Sequence, residues 1–192
     1  MSIASQIASS WVEPLLAGTG FVRAGASRFR AMTDTSIGTI RVVPSKNRTR
    51  FAVRAGVVYR RWQATIGSRL RDGVDDADWS GFIHDPNIYG GLSERWWEVE
   101  DYLDQPNAVG AHVTARVRDD LLPDLLSHMD PAVDRDELLR IFKDSGGSCP
   151  QGEALARLVF WLGCDGSPDT RAVRSRAMKD DEAAAFVRRI ET

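Results

Sequence analysis

Between Arg48 and Trp62, in RTRFAVRAGVVYRRW, apolar and charged residues take turns. Phe51, Val53, Ala55, Val57 and Tyr59 fall on one side of an extended chain, and Arg50, Arg54 and Arg60 on the other. A period of two predicts a half-buried strand over Thr49–Arg60. The same alternation predicts strands at Ser27–Thr33, with Phe29 and Ala31 against Arg28, Arg30 and Met32, and at Ser36–Ser45, with Ile40 and Val42 against Thr39, Arg41 and Val43. Turn residues fill Asp34–Gly38 and Pro44–Arg48. Connections this short predict an antiparallel meander. Glu94–Glu100, ERWWEVE, is the expected fourth strand, and Gly56 hints at a bulge or a close backbone approach.

Elsewhere the apolar period lengthens to that of a helix. Ile3, Ile7, Trp11 and Leu15 predict an amphipathic helix over 2–17, capped by Ser2 and stopped at Gly18, with Pro14 either making the last turn irregular or restarting the helix. A second stripe, from Val109 to Leu126, predicts a long helix over Asn107–His128 that is kinked or restarted at Pro123. Further helices are expected at Asp134–Lys143, Pro150–Leu162, Asp169–Met178 and Asp180–Ile190. The expected fold is α+β: an antiparallel sheet of about four strands, an N-terminal helix on one face and a C-terminal helical bundle. Residues 1–145 form the sheet domain in this reading. Residues 146–192 form a helical extension packed on it. Residues 67–93 make the longest irregular stretch, and such stretches often carry function.

Composition is ordinary for a globular chain of 192 residues, with 43% hydrophobic and 27% charged residues. No run of about 20 apolar residues is present to span a bilayer, and the first 18 residues lack a basic, apolar leader pattern. A cytoplasmic protein with no membrane partner is expected. Cys149 and Cys164 have neither a Cys-x-x-Cys spacing nor a nearby histidine pair, and are expected to be reduced, inert thiols.

Charge changes the picture more. The net charge is −2, yet residues 1–71 carry 12 cations against 2 anions, and residues 72–192 carry 13 against 25. Such a split fits either an anionic partner for the basic half or two halves that neutralise each other. Arginine outnumbers lysine 22 to 3, a ratio that genomic base composition also produces.

The order of motifs has a likeness. A helix is followed by GTGFVRAGASRFR, then strands ending in FAVRAGVVY, a variable loop, RWWEVED and a long helix holding LLPDLLSHM. Over residues 6–145 this resembles the bacterial family known as domain of unknown function 4304, at Gly20, Phe21, Phe29, Phe51, Gly56, Trp96 and Trp97. The resemblance implies a fold and transfers no activity.

Arg28, Arg30, Arg41, Arg50, Arg54 and Arg60 are the candidate binding residues, all expected on one sheet face. That face is either solvated, covered by the acidic half, or a platform for an acidic protein. Trp96 and Trp97 must point to opposite faces: one to the core, the other to the arginines as a stacking partner or contact anchor, and Trp97 is taken as the anchor. A nucleic-acid partner is the alternative. It is weakened by strand aromatics that point inward and by a pI near 5.9. Catalysis has little support: His84 and Asp85 in the long loop are the best acid–base pair, and no catalytic residue is assigned. Asp72, Asp75, Asp76 and Asp78 lack the glycine and terminal glutamate of a calcium loop. The three histidines share no metal-ligand spacing, and no cofactor or metal is expected. The reading is a non-enzymatic interaction module that uses the arginine face and the 67–93 loop.

Overall fold

The computed structural model describes residues 2–67, 77–83, 94–144 and 150–191. The fold is α+β, and the chain divides into two compact units. The first is Met1–Val58 with Asp72–Met129, and the second is Tyr59–Arg71 with Asp130–Thr192. The boundary expected at 145/146 touches residues 145–149, outside the described residues.

The first unit opens with α1, Ile3–Ile7, whose cap Ser2 accepts a hydrogen bond from Ser5 N at 3.2 Å. A π-helical turn, Ala8–Val12, and a 3₁₀ turn, Glu13–Leu16, continue it. Pro14 explains the irregularity. It has no N–H, and its ring collides with the carbonyl four residues back, so the helix widens before it and tightens at it. The same device recurs in the long helix, where α4, Pro106–Arg116, passes through a π-helical turn at Val117–Leu121 into α5, Leu122–His128, with Pro123 in the first turn of α5. The two helical stretches meet around Trp11. A Cβ on Gly110 would enter the Trp11 ring, and Thr114 Oγ1 donates to Trp11 O at 3.0 Å.

Among the described residues six strands follow, where about four were expected: β1 Val22–Gly25, β2 Arg28–Met32, β3 Ser36–Pro44, β4 Arg50–Tyr59, β5 Trp79–Phe82 and β6 Trp97–Glu98. The order is β1-β2-β3-β4-β5, with β6 also pairing β4. β5 lies inside the stretch expected to be irregular. Gly56 stands opposite Ser80 in an unbroken β4–β5 register, so no bulge is needed there. The register slips instead between Arg23 and Gly25 of β1. The expected fourth strand shrinks to Trp97–Glu98, because Val99–Asp104 turns into α3. Phe29, Ile40, Val42, Phe51, Val53, Ala55 and Val57 are buried, together with Ile7, Val12, Val113, Val117 and Leu125.

The second unit holds α2 Arg60–Thr65, α6 Pro131–Asp144, α7 Gly152–Cys164, α8 Thr170–Ala177 and α9 Asp181–Ile190. Its α7 is the buried centre, with Leu155, Leu158 and Leu162 inside beside Trp62, Val173 and Val187. Arg157 of α7 forms a bidentate pair with Asp134 of α6 at 2.8 and 3.0 Å, and Trp161 Nε1 donates to the same carboxylate at 2.9 Å. Asp180 caps α9 by accepting from Ala183 N at 2.9 Å, and that bond is the first cause holding its carboxyl below the ordinary value. Cys164 is an exposed free thiol.

Candidate functional site

Register decides where the arginines go. On β2 and β3, Arg28 stands directly opposite Arg41, and Arg30 opposite Thr39. Directly opposed residues of an antiparallel pair share a face, so Arg28, Arg30 and Arg41 lie together. Across the β3–β4 turn, Ser45 N donates to Arg50 O at 2.8 Å. Residues joined by such a bond oppose each other, and two-residue alternation from there puts Arg50 and Arg54 on the side of Arg41. Glu98 pairs with Arg50 across β4 and β6 and joins the same face. Five of the six expected arginines therefore share one side.

That side is not uniformly solvated. Thr39 is 2% exposed and Ala52 fully buried, while Arg28, Arg30, Arg41 and Arg54 are half-buried and Arg50 is exposed. Small, dry positions alternate with long arginine side chains that are themselves partly buried, the Arg30 Nε included. Acidic residues engage part of the face. Arg54 makes a bidentate pair with Glu94 at 2.6 and 2.8 Å. Arg50 lies 3.9 Å from Glu98, too far for a hydrogen bond, and both side chains are about half exposed.

Two expectations need correction. Arg60 is not on the sheet. The chain leaves the extended conformation at Tyr59, and Arg60 is the first residue of α2 in the second unit. The tryptophans exchange roles. Trp97 opposes Phe51 and so takes the core face, where it is 4% exposed and stacks on Phe51 with ring centres 5.5 Å apart. Trp96 is the ring beside the arginines, 5.9 Å from the Arg50 guanidinium and 5.8 Å from that of Arg54.

At the edge of Trp97 stands His112, whose Nδ1 accepts from Trp97 Nε1 at 3.4 Å. Indole is a donor only, so this bond selects the neutral imidazole. Burial, then the charges of Arg95 and Arg116, hold its pKa below 6.5.

Lys46 and Arg48 are not among the candidate residues read from the sequence. Both are exposed, and neither has an ion-pair partner among the described residues. The turn that carries them is internally fastened. Asn47 Oδ1 accepts from Ser45 Oγ at 2.8 Å and Thr49 Oγ1 at 2.9 Å, and Arg50 N donates to Ser45 Oγ at 3.0 Å. The run Lys46-Asn47-Arg48-Thr49-Arg50 was visible as a cationic hairpin tip, but its turn chemistry was the stronger local signal.

His84 and Asp85 lie outside the described residues, as do 68–76 and the rest of 84–93. Among the described residues no group of three His, Cys, Asp or Glu side chains is placed to hold a metal, and no helix is long and apolar enough to cross a membrane. Comparison of the chain with protein-family models, curated proteins and solved structures returns no match. The resemblance to domain of unknown function 4304 gains no support from them and carries no functional argument.

Proposed function

We propose that the protein is a non-enzymatic interaction module that docks an acidic protein surface on the arginine side of its sheet. The observation that carries this reading is the shared face of Arg28, Arg30, Arg41 and Arg50. Arg28 and Arg41, opposed across β2 and β3, gather positive charge on this face, and charge complementarity with an acidic surface is what the reading uses. Arg54, paired with Glu94, lies on the same face, and Trp96 supplies an apolar ring beside Arg50 and Arg54. Lys46 and Arg48 extend the positive edge beyond the strands.

An acidic protein is favoured over nucleic acid by the placement of aromatics. Sheet platforms for single strands stack bases on exposed rings. Here Phe29, Phe51 and Tyr59 are buried, Trp96 lies beside Arg50 and Arg54, and Phe82, directly opposite Arg54 and half-buried, shares their face. Titration of the full chain with a deca-glutamate peptide and with decathymidylate, at low and at physiological salt, separates the two. Saturable peptide binding that weakens with salt, with weaker oligonucleotide binding under the same conditions, supports the reading. No peptide binding at low salt overturns it. Tighter oligonucleotide binding transfers the face to nucleic acid.

A further inference from the structure

Where the hairpin meets the N-terminal helix, the first unit has a cavity of about 500 Å³. Its volume is within the roughly 300–1,000 Å³ typical of small-molecule sites. Burial falls from floor to opening. Ala4 and Phe51 are buried, Ile3 and Val99 are intermediate, and Pro44, Arg48 and Arg50 are exposed. The floor is therefore apolar and the opening cationic.

Arg48 has φ +62°, the one positive φ outside glycine among the described residues. Glycine or asparagine is the ordinary occupant of such a position. Arg48 is kept there by the turn's own bonds, with Arg48 N donating to Ser45 O at 2.9 Å. The first turn of α3 is tied to the same hairpin, Val99 N donating to Thr49 O at 2.8 Å. The wall and the opening are thus positioned by one hydrogen-bonded frame. A side chain held in a costly conformation at the mouth of a cavity, without an ion-pair partner among the described residues, suggests a functional reason for its identity.

We infer that this cavity binds a small amphipathic anion: an apolar chain against Phe51, Ile3, Ala4 and Val99, with a terminal carboxylate at Arg48. The apolar part supplies the area removed from water, and the guanidinium supplies a charge-assisted bond that fixes orientation. Arg50 adds positive potential beside it, opposed by Glu98 at 3.9 Å.

The probe is octanoate, with octanol as its neutral counterpart, titrated calorimetrically into the full chain. Octanoate is expected to bind about tenfold more tightly than octanol, the gain of one charge-assisted contact. Arg48→Gly suits the positive φ, so the hairpin keeps its shape, and octanoate should then fall to the affinity of octanol. Amide resonances of Ile3, Ala4, Phe51 and Val99 should shift on binding in the unmodified chain. Equal affinity of the two ligands, an Arg48→Gly variant that binds octanoate unchanged, shifts confined to other residues, or no octanoate binding at millimolar concentration each overturn the assignment. Deca-glutamate binding is read separately through Arg28 and Arg41, which do not line the cavity.

Discussion

Arg157 and Arg54 each grip a carboxylate with two hydrogen bonds, yet they sit in opposite surroundings. Arg157 and Asp134 are 5% and 3% exposed, and Trp161 adds a third bond to the same carboxylate. Arg54 and Glu94 are 30% and 14% exposed. In the second unit the arginine is part of the interior: its charge is affordable only because every oxygen facing it is committed. In the first unit the arginines lie at a boundary, where water screens them and pairing contributes little. The contrast teaches that arginine count alone says nothing about binding. What matters is whether the charge is sealed in or left within reach of a partner.

Breaking the interior pair should have the largest effect. Asp134→Ala leaves the Arg157 charge buried and unpaired, and unfolding by urea should show a loss of about 3–5 kcal/mol. A loss under about 1 kcal/mol would mean that the pair is wetter than its geometry indicates. Glu94→Gln, the matching change in the first unit, should cost about 1 kcal/mol or less by the same method, because the pair is partly solvated. Equal costs for the two variants would erase the distinction between the units.

The smallest effect is in pH. His112 has its folded pKa below 6.5, so the unfolded chain takes up its proton first as pH falls. Its contribution is complete above that value and is lost as pH drops from 6.5 toward the folded pKa. The unfolding midpoint of the parent should therefore fall more steeply over this window than that of His112→Asn, and the two should run parallel at higher pH. The effect is small because the ring is largely exposed.

Much of this architecture is legible from alternation. The cores of β2, β3 and β4 read directly, because Phe29, Ile40 and Phe51 each begin a two-residue rhythm that burial enforces. Both prolines announce irregular helix, since a missing N–H cannot be compensated locally. What escapes is whatever lacks an apolar period. β1 is short and mostly exposed, with no rhythm to see. β5 has four residues, and at Gly81 the space a side chain would fill is taken by the Trp79 ring. The change from strand to helix at Arg60 and at Val99 is invisible because the polar pattern of the strand runs on into the first helical turn. The arginine face was readable because parity needs only spacing. The swap of Trp96 and Trp97 was not, since adjacent residues of the same type carry no parity label until Phe51 chooses a partner. Arg48 escaped for another reason: a positive φ is a property of the folded turn, and an arginine, unlike a glycine or an asparagine, does not announce it.

The central claim is that the sheet's arginines act as a docking surface rather than as bystanders. The most direct measurement is the deca-glutamate affinity of an Arg28→Glu/Arg41→Glu double variant beside the unmodified chain at low salt, with thermal unfolding of both. The account predicts loss of peptide binding with the unfolding midpoint preserved. Peptide affinity unchanged in a folded double variant would contradict it.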